Sequence, residues 1–112
     1  MATTMKWPGS QYDETLSAEN AYTVLGLDRH VRAASLNVYV ASGGTFYALV
    51  SNNKQADIEA DNAEWYDLFG EGTVPQSVNR SIDLELADWQ AVKVLKTSSA
   101  GTVKFAVTVR RA

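Results

Sequence analysis

A single histidine, His30, stands between Arg29 and Arg32, and it is the only side chain in the sequence whose ordinary pKa suits proton transfer near neutral pH. Two flanking cations disfavour its protonated form, but a lone imidazole has no nucleophile or second base to work with. Cysteine is absent, which removes thiolate chemistry, disulfides and cysteine-ligated metals. No GxSxG, P-loop, GxGxxG or HExxH pattern occurs. His30 therefore reads as a surface or interface residue, no catalytic residue is assigned, and an enzyme is not expected.

Asp57, Glu59 and Asp61 recur at every second position, with Asn53 and Asn62 close by, and a hard cation such as calcium takes oxygen ligands of this kind. Counted from Asp57, an EF-hand loop needs glycine at the sixth position and glutamate at the twelfth, where this chain has Asn62 and Leu68. The favoured reading is a solvated acidic loop, so no metal or cofactor is expected.

Aromatic side chains offer a different chemistry, stacking. The chain has three tryptophans, five tyrosines and three phenylalanines. Trp65 and Trp89 adjoin apolar periodic runs and read as core or interface anchors, with a sugar-stacking platform as the rival. Tyr39, on the polar side of its run, suits either role equally. Trp7 and Tyr12 sit on a polar segment where leaving them in water is costly. Either that segment folds back over the domain or it docks on a neighbour.

The elements that position these residues follow from period-2 patterns. Leu36, Val38 and Val40 alternate with Ser35, Asn37 and Tyr39; Ser42-Gly43-Gly44 then supplies a turn before Thr45–Val50, predicting a hairpin. Residues 51–64 read as a long exposed loop, and Trp65–Phe69 as a short aromatic strand. Ile82, Leu84 and Leu86 predict a further strand. Val92 and Val94, a turn at 96–101, and Val103, Phe105, Val107 and Val109 predict a second hairpin whose last strand is central. Residues 28–34 allow one helical turn at most.

These strands must bury their apolar faces against one another, so the expected fold is all-β: a two-sheet antiparallel β-sandwich, jelly-roll or Ig-like, with a closed barrel as runner-up. Residues 1–20 contain Pro8-Gly9 and keep no period, which predicts an irregular N-terminal arm. The division is an arm and lead-in over 1–32 and a sandwich domain over 33–112, with the domain expected to stay folded when 1–20 are removed.

Composition narrows the partners. A net charge of −3 and the lack of clustered Lys and Arg argue against nucleic acid. Arg110-Arg111 is the one dense basic spot and reads as a solvated end or an interface contact. No run approaches the ~18 apolar residues that span a bilayer, and residues 1–6 lack a leader pattern, so no membrane is expected and the protein is made in the cytoplasm, staying there or leaving by lysis or assembly.

Residues 33–110, through AASLNVYVASGGTFYALVSNN, WYDLF and ADWQAVKVLKTSSAGTVKFAVTVRR, resemble the small β-sandwich domains of virion proteins of tailed bacteriophages. The loop Lys54–Glu64 is longer than that pattern, and 1–32 has no clear counterpart in it. The resemblance implies a structural role in the virion: a capsid decoration or cement protein, or a tail or baseplate module. Its partners would be other virion proteins such as a major capsid protein, in a homo-oligomer, with Trp7, Tyr12, Tyr39, Arg110 and Arg111 as expected partner-binding residues. A carbohydrate-binding module using Tyr39, Trp65 or Trp89 is the alternative.

Overall fold

The computed structural model describes residues 3–28, 31–69, 74–84 and 89–111. Among the described residues, nine strands form two sheets: β1 (Met5–Lys6), β2 (Gln11–Leu16), β3 (Tyr22–Gly26), β4 (Val31–Ala41), β5 (Phe46–Ser51), β6 (Tyr66–Asp67), β7 (Arg80–Leu84), β8 (Ala91–Lys96) and β9 (Thr102–Arg111), with one short helix α1 (Gln55–Glu59). One sheet runs β1-β3-β8-β5-β6, the other β2-β9-β4-β7. Every pairing is antiparallel except the two-residue β1 on β3. The all-β two-sheet sandwich is thus the fold, and β9 is central in its sheet as the sequence predicts.

Alternation built this core. Leu36 and Val38 from β4, with Val103, Phe105, Val107 and Val109 from β9, face Phe46, Ala48 and Val50 from β5 and Val92 and Val94 from β8, all buried in one cluster. Side chains that alternate in sequence point to opposite faces of a strand, so each strand contributes every second residue to the layer between the sheets.

The hairpins are a correction. β4 and β5 lie in different sheets, as do β8 and β9, so both predicted hairpins are arches that carry the chain across the sandwich. A period of two reports which face is buried but not which strand is the neighbour. The arches nest at one end of the molecule: the Thr45 N–H bonds Ser98 Oγ at 3.0 Å, the Thr97 N–H bonds the Thr45 carbonyl at 2.9 Å, and the two threonine hydroxyls meet at 2.6 Å. Ser42 and Gly43 both take positive φ, and Gly101 does so in the facing arch. Lys96, fully buried, closes this end of the core with its ammonium on the Ser98 carbonyl.

The irregular arm is a second correction. Residues 11–16 form β2, paired along its whole length with β9 from Gln11 opposite Thr108 to Leu16 opposite Val103, and residues 22–26 form β3 beside β8. Leu16 and Leu25 belong to the main core. The pattern was hard to read because β2 alternates Tyr12, Glu14 and Leu16 inward, and a glutamate breaks the apolar period.

That glutamate is held by a polar closure between the two sheet edges. Glu14 Oε1 accepts hydrogen bonds from the Tyr12 hydroxyl at 2.5 Å and from Thr23 Oγ1 at 2.8 Å, with the Lys6 ammonium 3.6 Å away and also donating to the Tyr12 oxygen at 3.0 Å. Burial pushes the Glu14 carboxyl upward, but the bonds from Tyr12 and Thr23 and the Lys6 charge outweigh it and hold it below the ordinary carboxylate range. The hydrogen bond to Tyr12, then the charge of Glu14, raises Lys6, while burial and the bond to Glu14 raise Tyr12. A carboxyl whose folded pKa is lowered contributes stability that is fully present above its unfolded pKa and lost as pH falls through the folded value. Glu14→Gln should therefore cost about 1–2 kcal/mol at pH 7 and progressively less as the pH is lowered from 5 towards 3. Thermal melts of both proteins across that range check it.

The predicted exposed loop is corrected in part: most of its side chains are exposed, but it contains a helix and is anchored to the sheet. α1 docks on the outer face of the first sheet, where Ile58 joins Met5, Val24 and Ala91 in a second buried cluster flanked by Ala63 and Trp65. The Thr3 N–H donates to the Glu59 carbonyl at 2.8 Å, and Thr3 Oγ1 to Asp61. One apolar residue in a polar stretch anchors the segment, too weak a signal to stand out by periodicity. No group of three or more His, Cys, Asp or Glu that would hold a metal is found among the described residues.

Candidate functional site

On the outer face of the first sheet, register sets two rows of side chains. Tyr22, Leu95 and Tyr47 lie side by side across β3, β8 and β5; Val24, Lys93, Leu49 and Asp67 form the next row, reaching β6. β-Strands place i and i+2 on one face, so Tyr47 and Leu49 point out while Phe46, Ala48 and Val50 point into the core. α1 and the segment after it cover only the far part of this face, and Trp65 borders what remains open.

The result is a concavity of about 330 Å³ lined by Tyr47, Leu49, Trp65 and Asp67. The Lys93 ammonium lies beside it, 5.4 Å from the centre of the Trp65 ring and 4.6 Å from that of Tyr22. Flanked by two aromatic rings, this cation is fixed in direction, because each ring face carries the negative part of a quadrupole.

Asp67 is the other polar group. Its Oδ1 accepts the Phe69 N–H at 2.8 Å, while Oδ2 is buried and has no hydrogen-bond partner among the described residues. Burying an unpaired polar atom costs about 1–3 kcal/mol, and more for a charged group. The neighbouring ladder explains why the carboxylate is held there. Asp67 pairs with Leu49, and the Leu68 N–H donates to the Ala48 carbonyl at 2.9 Å, so β6 is stapled to β5 with Asp67 facing the concavity's wall.

The residues expected to bind partners are spread over the molecule. Tyr39 is half exposed on the outer face of the second sheet, and Arg110 is exposed on that same face, opposite Ala33. The Arg111 side chain and His30 lie outside the described residues. Trp7 is half exposed, yet its ring fills the space beside Gly26, where a Cβ would collide with three of its carbons. Tyr12 turns inward, its ring centre 6.1 Å from that of Phe105. Of the two alternatives for these aromatics, folding back is the one seen.

Of the residues weighed as a sugar platform, Trp65 borders the concavity, Tyr39 is on the opposite sheet, and Trp89 packs against Tyr66 with ring centres 6.0 Å apart. Tyr47, Leu49 and Asp67 were not singled out. Tyr47 and Leu49 alternate with the buried Phe46, Ala48 and Val50 in a segment read only as β-forming, and an apolar pair on the outward side was the available signal. Asp67, inside WYDLF, gives none until β6 is paired.

Fold and site together define a two-sheet antiparallel β-sandwich module bearing an aromatic recess on one outer face. No protein-family model matches the chain, and no curated protein does. Among solved structures it is similar to part of IMPa from Pseudomonas aeruginosa in complex with an O-glycopeptide, with a TM-score of 0.44, 15% identity, and 93% of this chain covering 13% of that one. It is similar in the same way to the IMPa metallopeptidase in complex with T-antigen, with a TM-score of 0.42 and 15% identity over the same shares. The chain therefore spans about 13% of the length of those proteins.

Proposed function

We propose that this chain is a structural protein of a tailed-phage virion, a capsid decoration or cement protein that acts by assembly onto a protein lattice and not as an enzyme. The observation that carries the reading is the end of the sandwich around the nested arches. Val74 and Val78 are 59% and 57% exposed there, and Tyr39 50%. The segment 74–79 is fixed in place by the Phe46–Gln76 bridge and by Asn79 Oδ1 on the Val40 N–H at 2.9 Å. Exposed apolar side chains held on a rigid frame suit contact with another protein, since little ordering entropy remains to be lost.

The rest of the second sheet's outer face supports the same use. It carries Gln11, Asp13, Asn37, Ser81, Asp83, Lys104 and Thr108, with Arg110 about 20 Å along the strands from Tyr39. An apolar end with a polar face beside it has the anatomy of a contact core and its rim. The likeness of residues 33–110 to virion sandwich domains supplies the kind of lattice. A major capsid protein is the proposed partner, the virion the proposed location, and a homo-oligomer the proposed state; a tail or baseplate module is the close variant.

Co-sedimentation of the purified chain with particles that lack it tests the proposal. Wild type should bind, and the double variant Tyr39→Ser, Val78→Ser should bind at least about tenfold more weakly with its melting temperature nearly unchanged, because both side chains are exposed. Wild type that stays in the supernatant, or a double variant that binds equally well, would refute it.

A further inference from the structure

We infer that the recess formed by Tyr47, Leu49, Trp65 and Asp67 is a binding site for a neutral sugar ring. The inference stands apart from the assembly role, since the recess lies on the outer face of the opposite sheet from Tyr39.

A pyranose has an apolar face of C–H groups and a rim of hydroxyls, so its site needs a flat apolar surface with an acceptor and a donor at the edge. Tyr47, Leu49 and Trp65 supply the surface. The Asp67 carboxylate supplies the acceptor: the residue lines the recess, and its Oδ2 lacks a partner among the described residues. Lys93, held 5.4 Å from the centre of the Trp65 ring, supplies the donor. The volume of about 330 Å³ is at the small end for ligand sites.

Charge excludes two other occupants. A quaternary ammonium would suit an aromatic lining with a carboxylate, but Lys93 already lies over the Trp65 ring and repels a second cation. A strongly anionic ligand would meet the Asp67 carboxylate. A neutral ring with several hydroxyls uses both charges at once, donating to Asp67 and accepting from Lys93.

The test is a titration of the full chain with glucose, galactose, mannose, N-acetylglucosamine and their disaccharides, followed by tryptophan fluorescence and by chemical-shift changes. At least one should bind with a dissociation constant of about 0.1–10 mM, in the range of a few directed hydrogen bonds on a small apolar surface. Asp67→Asn, which removes the unpaired charge and leaves the shape, should weaken binding at least about tenfold without lowering the melting temperature. Tyr39→Ala, on the opposite sheet, should leave it unchanged. No binding by any of these sugars at 10 mM, undiminished binding by Asp67→Asn, or binding of choline or adenosine in their place would overturn the inference.

Discussion

Removal of residues 1–20 is expected to abolish cooperative unfolding, leaving a chain that does not hold the sandwich at 25 °C. The segment contains all of β1 and β2, and with them the six-residue ladder to β9. It also carries Leu16 from the main core and Met5 from the second one. Burying a large aliphatic side chain contributes about 1.5–3 kcal/mol, and a domain of this size has only about 5–15 kcal/mol in total. The loss of both, together with the Tyr12 contact and the six-residue ladder whose removal lays an edge of β9 open, is of the order of that margin. Circular dichroism and a thermal melt of the truncated chain check the outcome; a truncated protein with the midpoint of the full chain would show that the first strands only decorate a self-sufficient domain.

Among the described glycines, Gly101→Ala should be the most damaging substitution, at about 3–5 kcal/mol. Gly101 holds a φ of +75°, where a side chain costs about 1–2 kcal/mol. A Cβ there would also run into the Ala41 and Ser42 carbonyls and the Gly44 nitrogen of the facing arch. Those are backbone atoms pinned on both sides, by β4 on β9 and by β5 on β8, so they have nowhere to move. Gly9→Ala, with nothing within 4 Å of its Cβ position, is the matched control and should lie within about 0.5 kcal/mol of wild type. Urea denaturation of the pair measures the difference.

What the sequence disclosed was the buried face of β4, β7, β8 and β9, and what it withheld was who pairs with whom. Leu36, Val38, Phe105 and Val107 declare their inward faces by alternation alone, and all four are buried. Sheet membership is set by long-range pairing, which local alternation does not encode, so two Gly-containing turns that suit hairpins serve instead as arches. β2 escaped notice because Glu14 faces inward, a position satisfied only once Thr23 and Lys6 arrive from the other sheet. Ile58 is invisible to any periodic pattern, yet it fastens the acidic segment to the sheet. Of the recess, Trp65 was legible as an aromatic of interest. Tyr47 and Leu49 were placed on a strand without being recognised as its outward wall, and the state of Asp67 depends wholly on its pairing with β5.

As a capsid decoration protein of the kind we propose, the chain would work as a repeated part of a particle. The most direct test of that role is electron cryo-microscopy of the particles released by lysis of the cells that make it, with the averaged surface fitted by the sandwich. Ordered copies at equivalent positions, with Tyr39, Val74 and Val78 turned towards the lattice, are the expected result. Particles that carry no such density while the chain accumulates free in the lysate would contradict it.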